Sequence, residues 1–360
     1  MTPIRLGLIG AGQIAASAVH AVRGYEAGAA QITAAHDLSA ERLADLCRSH
    51  AIPRAHARVE DLLADDEVDA VYIAVPNAFH APLARQALAA GKHVILDKPF
   101  ALSAAEAEGV IAAAGAAGRI FTLGMNQRFV GDCQRMRRLV ADGVLGEVYH
   151  TKAAWMRRSG IPRLGTWFGQ RKLAGGGSLY DIGVHLLDLA MWVTGRFDPV
   201  SVMGQTYTRF GDRGLGAGSW GRSDPEPGAV FDVDDFATAL IRFADGATIT
   251  LDVSWAAHTD QANRNDVLLY GTEAGGGCYP ARLFRPDPAG GYAVIDAPKA
   301  EALYPHTDRF HNFFNAIRGI EPLCCTADQA LAVQRVLDAI AESARTGRSV
   351  GIAPRAAAAL

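Results

Sequence analysis

The chain has 360 residues, of which 49% are hydrophobic and 20% charged, and its net charge is -3 at pH 7. This length exceeds that of most single cores, so we expect two domains. The charge provides no basic surface for nucleic acid or anionic lipid, and no apolar run is long enough to span a membrane. The five cysteines form no CxxC pair and the N-terminus shows no signal-peptide pattern. We therefore expect a cytoplasmic protein without a disulfide framework.

Strands and helices alternate through the first third of the chain. The predicted strands are 4–9, 30–37, 68–76, 93–99 and 119–125. The predicted helices are 13–22, 39–50, 80–91 and 103–117. Such alternation is typical of βαβ units, so residues 1–125 are predicted to form a parallel sheet covered by helices on both faces.

The pattern changes after residue 125. Residues 236–255 read as two alternating strands around Asp245-Gly246, which predicts a hairpin within an antiparallel sheet. The glycine- and proline-rich segment 213–228 is a long loop, either a lid or a mobile connection. A capped helix, 327–346, ends before Gly347 and is expected to pack near the first domain. Residues 126–360 are thus predicted to form a second, α+β domain.

A glycine-rich turn follows the first predicted strand. Three small residues form a G-x-G-x-x-A pattern between strand and helix, namely Gly10, Gly12 and Ala15. We expect a dinucleotide's phosphates to bind the backbone N–H groups of Gln13 and Ile14. Asp37, at the end of the next strand, is expected to receive the ribose hydroxyls. Its carboxylate would repel a 2′-phosphate and no arginine follows at once, so NAD is favoured over NADP.

The segment GGGSLYDIGVHLLDLAMW, residues 175–192, carries polar side chains within an apolar helical run. On a regular helix Asp181, His185 and Asp188 project within roughly 60° of one another. Each also has a structural interpretation. Ser178 with Asp181 fits a capping box. His185 fits a core histidine, and Asp188 fits the partner of an arginine, so the residues alone leave the role of this face open.

Three motifs carry a resemblance to a known family: PN-x-x-H at 76–80, DKP at 97–99 and D-x-G-x-H-x-x-D at 181–188. Nearly the whole chain resembles the Gfo/Idh/MocA family of sugar and cyclitol dehydrogenases. The resemblance implies an N-terminal Rossmann dinucleotide-binding domain and a C-terminal α+β domain with a large open, mainly antiparallel sheet. Asp97 stands where the family more often has Glu, a change that bears on how the nicotinamide ribose is held.

The resemblance implies a catalytic group of Lys98, Asp181 and His185. His185 would take the proton from a substrate hydroxyl as hydride leaves the same carbon for nicotinamide. Asp181 would orient the substrate or stabilise imidazolium, and Lys98 would donate to the reacting oxygen. Pro99 would fix the turn, often through a cis bond in the family. Asp188 is assigned a structural role, and no metal is expected because the helix lacks a second histidine at helical spacing.

The same resemblance extends the site beyond these residues. The further cofactor contacts that it implies are Pro76, Asn77, His80, Asp97, Lys98, Asn126 and Gln127. The candidate substrate contacts, chosen as aromatic faces and charged donors, are Lys98, Trp155, Arg157, Arg158, Trp167, Lys172, Asp181, His185, His306 and Arg309. Trp155 also fits a core position, the arginines also fit solvated positions, and Arg128 also fits an ion pair between domains.

The predicted activity is NAD-dependent oxidation of a secondary hydroxyl of a sugar, anhydrosugar, glycoside or inositol. Two alternatives stay open: an NAD-dependent glycoside hydrolase of the same fold, and a non-catalytic NAD-sensing regulator. Joint retention of Lys98, Asp181 and His185 argues against the sensor, which needs no proton transfer. The resemblance also implies a homo-oligomer, a dimer or tetramer, formed through an open sheet face that keeps Phe236 and Leu240 outside.

Overall fold

Two β-sheets organise the chain. The computed structural model describes residues 2–25, 29–221, 225, 228–299 and 301–353. The first sheet has six parallel strands: β1 (Ile4–Ile9), β2 (Ala30–His36), β3 (Arg54–His56), β4 (Ala70–Ile73), β5 (His93–Leu96) and β6 (Phe121–Leu123). They lie in the order β3-β2-β1-β4-β5-β6. The order reverses between β1 and β4, and such a switch point opens a ligand crevice at the carboxyl ends of the strands.

Helices pack against this sheet, as the alternating pattern predicts. They are α1 (Gln13–Arg23), α2 (Ala40–Ser49), α3 (Val59–Ala64), α4 (His80–Ala89) and α5 (Ala104–Ala117). Ser39 and Ser103 cap α2 and α5 by accepting a backbone N–H three residues on. The short β3 and α3 are not predicted, because their few residues carry too little periodicity. Strand β4 ends at Ile73 rather than at residue 76.

The second sheet has nine strands and is mainly antiparallel. Its strands are β7 (Val148–Arg157), β8 (Pro199–Tyr207), β9 (Phe236–Phe243), β10 (Thr248–Ser254), β11 (Asn263–Gly271), β12 (Gly275–Cys278), β13 (Ala281–Pro286), β14 (Tyr292–Asp296) and β15 (Val350–Gly351). They follow the order β14-β13-β12-β11-β7-β10-β9-β8-β15, and only the β7–β10 pair among those described is parallel. The predicted hairpin is confirmed as β9 and β10, with Gly246 at φ +89° in the turn.

The remaining helices connect the two sheets. They are α6 (Gly131–Ala141), α7 (Arg171–Ala174), α8 (Val184–Thr194), α9 (Arg309–Ile317) and α10 (Ala327–Thr346). Helix α10 contacts the first half of the chain, since Asp338 accepts the N–H of Ala104 at 2.7 Å and Arg335 pairs with Glu108 at 2.7 Å. None of the described helices combines the length and apolar character needed to cross a membrane.

The segment 175–192 is not one regular helix. Glycines 175–177 form an irregular turn, residues Leu179–Gly183 form a π-helical turn, and α8 begins only at Val184. In the loop 213–228, residues 214–221 pack on the chain after β7, where Gly216 accepts the N–H groups of Gly160 and Ile161. Residues 222–224, 226 and 227 of this loop lie outside the described residues.

Candidate active site

The glycine turn after β1 has the geometry that the fingerprint predicts. Gly10 has φ +103°, and a Cβ there would lie 2.3 Å from the carbonyl oxygen of Ala74, so only glycine fits. A Cβ on Gly12 would have no neighbour within 4 Å. Gly12 also begins α1 without a side-chain cap, and Ala15 packs fully buried beneath the turn. The helix therefore presents open N–H donors, including those of the exposed Gln13 and Ile14, to an anion.

Asp37 stands at the end of β2, beside this turn. Its carboxylate accepts the N–H of Ala11 at 2.8 Å and that of Ser39 at 2.7 Å. The guanidinium of Arg42, in the first turn of α2, lies 3.5 Å from the same carboxylate. No arginine follows Asp37 directly, but the helix brings one alongside it. Asp37 thus has a cation beside it that its neighbours in the sequence do not reveal.

Lys98 and Asp181 meet where the two halves of the chain come together. Lys98 follows β5, and its peptide bond to Pro99 is cis. Its Nζ donates to the carbonyl oxygen of Asp181 at 2.9 Å and to Oδ1 at 2.8 Å. The other oxygen, Oδ2, accepts the indole N–H of Trp255 at 2.8 Å. Because an ammonium has three donors, one N–H of Lys98 stays available to a substrate oxygen.

His185 lies one helical turn beyond Asp181, at the start of α8. Its Nδ1 is buried and has no hydrogen-bond partner among the described residues. Burial and the charge of Lys98 lower the pKa of His185 well below 6.5, while Asp181 opposes them. Burial acts to raise the pKa of Asp181, but Lys98 and Trp255 outweigh it and hold that pKa below 3.8. The site thus combines a neutral imidazole with an ionised carboxylate.

Asp234, just before β9, shapes the turn that carries Asp181. Its carboxylate accepts the N–H of Gly177, the N–H of Leu179 and the hydroxyl of Ser178, each at 2.8 Å. The capping-box interpretation of Ser178 with Asp181 is therefore wrong, because the serine hydroxyl bonds Asp234 instead. A Cβ on Gly177 would lie 1.8 Å from the carbonyl oxygen of Asp234. Sequence reasoning missed both Asp234 and Trp255, and no local spacing links either residue to Asp181.

The polar side chains of the PN-x-x-H loop bond to the protein backbone. Asn77 follows Pro76 and donates to the carbonyl oxygen of Ala174 at 2.8 Å. The ring of His80, which is 1% exposed, lies between the carbonyl oxygens of Pro99 at 2.7 Å and Val75 at 3.0 Å. Both ring nitrogens thus contact backbone, so any effect of His80 on a cofactor acts through the loop that it holds.

Other predicted cofactor residues lie at the ends of β5 and β6. Asn126 is exposed at the start of a 3₁₀ turn, and Gln127 accepts the hydroxyl of Tyr279 at 2.8 Å. Asp97 lies beside Arg309, since a Cβ on Gly124 would be 3.4 Å from Asp97 Oδ1 and 2.9 Å from Arg309 Nε. Arg309 donates to the hydroxyl of Tyr72 at 3.2 Å.

Two of the candidate substrate residues approach His185 from the end of β7. The rings of Trp155 and His185 have centroids 6.3 Å apart. The indole N–H of Trp155 is held by Asn263 at 2.9 Å, and the guanidinium of Arg157 lies 4.6 Å from the Trp155 ring centroid. These contacts place an aromatic ring beside His185 and a cation against that ring.

The other candidates are directed elsewhere. Arg158 donates to the carbonyl oxygens of Thr259 at 3.1 Å and Asp260 at 2.6 Å, while Lys172 is exposed. The ring of Trp167 stacks on Phe168 at 3.8 Å. His306 Nε2 bonds Glu321 at 2.5 Å, within an aromatic cluster. The described contacts of these residues are with the protein itself, and none of them joins the Lys98–Asp181–His185 group.

Arg128 and Asp188 form a buried ion pair, which confirms the structural interpretation of both. Arg128 donates to Asp188 through Nε at 2.9 Å and Nη2 at 2.5 Å, and both side chains are almost completely buried. A further donor reaches the carbonyl oxygen of Cys324 at 2.7 Å. The pair ties α8, which carries His185, to the segment after β6 and to the start of α10.

A doubly wound parallel sheet, an open glycine turn and a Lys–Asp–His group at its carboxyl edge define an oxidoreductase with a dinucleotide-binding domain. The chain belongs to the Gfo/Idh/MocA family. Residues 4–125 match the family model described as an oxidoreductase family with an NAD-binding Rossmann fold. Residues 133–275 match the one described as the GFO/IDH/MocA C-terminal domain. The predicted family and fold class are confirmed.

Three relatives match the chain over different lengths. It is 30% identical to a D-glucoside 3-dehydrogenase of Escherichia coli K12, with 97% of both chains aligned. It is 38% identical to a putative UDP-kanosamine synthase oxidoreductase subunit of Amycolatopsis mediterranei over 63% of this chain and 62% of that one. It is 28% identical to a levoglucosan dehydrogenase of Pseudarthrobacter phenanthrenivorans over 65% of this chain and 61% of that one.

Solved structures share the whole architecture. GenD2 from gentamicin A biosynthesis, in complex with NAD, matches with TM-score 0.79 and 26% identity over 98% of this chain and 97% of that one. A levoglucosan dehydrogenase with NADH and levoglucosan matches with TM-score 0.82 and 23% identity over 97% of this chain and 99% of that one, which shows the fold alone.

Proposed function

We propose that the protein is an NAD-dependent dehydrogenase that oxidises a secondary hydroxyl of a sugar, glycoside, anhydrosugar or cyclitol. The observation that carries this proposal is the Lys98–Asp181–His185 group beside the crevice of a dinucleotide fold. The relatives named as glucoside and levoglucosan dehydrogenases support this substrate class. Trp155, whose face borders His185, offers the apolar surface on which the C–H face of a sugar ring packs.

NAD held in the crevice would supply the acceptor for the hydride that leaves the substrate carbon. His185 acts as the base, because its lowered pKa keeps the imidazole neutral and able to remove the hydroxyl proton. Lys98 directs its third N–H at the same oxygen and favours the negative charge that develops there. Asp181 holds Lys98 through two hydrogen bonds, so the ammonium is positioned before the substrate arrives.

The residues of the crevice fit a dinucleotide. Gly12 leaves open space at an uncapped helix start, where the N–H groups of Gln13 and Ile14 would hold the pyrophosphate. Asp37 would accept the hydroxyls of the adenosine ribose and repel a 2′-phosphate, so we propose NAD as the preferred cofactor. Arg42 weakens this preference because its guanidinium lies 3.5 Å from that carboxylate.

The two alternatives lead to different products. A glycoside hydrolase that returns its hydride would cleave a nitrophenyl glycoside without net NADH, and a sensor would bind NAD(H) without turnover. The Lys98–Asp181–His185 group favours the dehydrogenase over the sensor, because proton transfer at the substrate is of use only in catalysis.

We also propose a cytoplasmic homo-oligomer, joined through the open sheet face where Met203 and Leu240 are exposed.

The test is NAD reduction, followed by the absorbance of NADH, with aldoses, glucosides, 1,6-anhydrosugars and inositols. We expect NADH from at least one class, and replacing Lys98 and His185 together by Ala should abolish it while NADH still binds. Turnover that survives the double substitution would refute the assigned chemistry. Cleavage of a nitrophenyl glycoside without net NADH would instead identify the hydrolase.

A further inference from the structure

Arg157 is a cation of the site whose guanidinium has no hydrogen-bond acceptor among the described residues. It ends β7, and Gly160 leaves room for it, since a Cβ there would lie 2.6 Å from Arg157 Cδ. The ring of Trp155 supports its guanidinium from one side at 4.6 Å. Among the described residues no carboxylate pairs with it and no oxygen accepts from its nitrogens. Burial lowers the pKa of Arg157, and the charge of Asp181 offsets this only in part.

The neighbouring cations have hydrogen-bond partners, whereas Arg157 interacts only with the more distant charge of Asp181. Three basic side chains act on His185, namely Lys98, Arg157 and Arg309. Lys98 is neutralised by Asp181, both of whose carboxylate oxygens already accept hydrogen bonds. Arg309 has Asp97 and the hydroxyl of Tyr72 beside it. The N–H donors of Arg157 are therefore free to bind an acceptor that a ligand supplies.

We propose that Arg157 binds an anionic group on the substrate, so that the preferred substrate is a sugar or cyclitol bearing a carboxylate or a phosphate. This inference rests on the proposed function and adds the substrate class to it. The planar guanidinium matches two oxygens of a carboxylate or phosphate at once. The contact with the Trp155 ring restrains the guanidinium. The anionic group would lie on the side of the substrate ring that faces Trp155.

The experiment compares matched substrates on wild type, R157Q and R157K. Each set contains the neutral glycoside, the corresponding uronate and the sugar phosphate. All three share the ring configuration of the sugar that is oxidised most efficiently in the NAD-reduction test. In wild type we expect a higher kcat/KM for one of the anionic members, and that member distinguishes carboxylate from phosphate. R157Q should lower kcat/KM for it by on the order of 10- to 100-fold, with a far smaller change for the neutral glycoside. R157K keeps the positive charge but not the planar guanidinium, so its kcat/KM for the anionic substrate should lie between those of wild type and R157Q.

R264Q is the matched control. On β11, Asn263 lies opposite Arg157 and the next residue, Arg264, lies opposite Met156. Arg264 therefore projects from the sheet face opposite to that of Arg157. R264Q should leave the anionic-to-neutral ratio of kcat/KM unchanged.

Thermal unfolding establishes that each variant is folded, and inorganic phosphate should compete with the sugar in wild type but not in R157Q. The substrate assignment alone would be overturned if the wild-type kcat/KM for the anionic substrates did not exceed that for the neutral glycoside. It would also be overturned if R157Q left this ratio of kcat/KM values unaltered. Absence of NADH from every sugar would overturn the proposed function with it.

Discussion

Lys98 Nζ donates hydrogen bonds to both the carbonyl oxygen and the carboxylate of Asp181, a residue 83 positions further along the chain. The two bonds join the end of β5 to the turn before α8, so the same contact that links the two sheets also fixes an ammonium group. Any shift of one half of the molecule against the other would move Lys98 relative to His185. In the proposed mechanism, domain geometry and proton transfer would therefore be coupled at this pair.

The first prediction concerns the pH profile of sugar oxidation. His185 must be neutral to act as a base, and its pKa lies well below 6.5. We expect kcat/KM to stay level as pH falls through 6.5 and to decline only when the imidazole finally protonates. The measurement is kcat/KM at saturating NAD across the acid range.

Variants of the neighbours should move this decline in opposite directions. Lys98 lowers the pKa of His185, so K98M should shift the decline to higher pH in the residual activity. Asp181 raises that pKa, so D181N should shift it to lower pH. A wild-type decline centred at or above 6.5, or shifts of the same sign in both variants, would show that His185 is not the titrating base.

The second prediction concerns the choice of cofactor. D37S removes the carboxylate that we propose repels a 2′-phosphate, and it leaves Arg42 beside the vacated position. We expect kcat/KM to fall for NAD and to rise for NADP, each by on the order of 10-fold, because a charge repulsion is exchanged for an attraction. Initial rates with both cofactors at one sugar concentration provide the measurement. Adding R42Q should remove the gain with NADP, and a gain that persists in D37S/R42Q would exclude Arg42 as its source.

Local patterns predict the first half of the fold because its determinants are local. The strand–helix alternation, the positive φ of Gly10 and the buried Ala15 each follow from a few adjacent residues. The same holds for Arg128 and Asp188, whose residue types suggest an ion pair before the fold is known.

Residues 175–181 show where such reasoning ends. Helical periodicity places Asp181 and His185 on one face, but the π-helical turn depends on Asp234, which is 57 residues beyond Gly177. Trp255 reaches Asp181 from 74 residues away. These contacts are set by the order of β9 and β10 in the second sheet, which no local spacing encodes. Likewise Arg157 and Arg158 are equal candidates in the sequence, and only the alternation along β7 separates them.

The third prediction concerns stability. Removing one member of the buried Arg128–Asp188 pair leaves an uncompensated charge, so D188A should lower the free energy of unfolding by about 3–5 kcal/mol. R128L/D188L removes both charges and should be less destabilised than D188A. Urea unfolding measures both. The exposed pair Arg138–Asp142 is the control, because R138A should cost less than about 1 kcal/mol. A double variant less stable than D188A would show that the pair contributes net stability.

The last prediction tests whether the turn before α8 positions the catalytic group. In G177A the added Cβ would lie 1.8 Å from the carbonyl oxygen of Asp234, so the turn must open. This turn carries Asp181, so Asp181 would lose its hydrogen bonds with Lys98. We expect kcat to fall by on the order of 100-fold or more. NADH binding, followed by its fluorescence, should persist because the glycine turn after β1 is separate. G115A is the matched control: a Cβ on Gly115, within α5, would have no neighbour within 4 Å, and activity should be unaltered. Equal kcat in G177A and wild type would show that Asp181 is held by Lys98 and Trp255 without this turn.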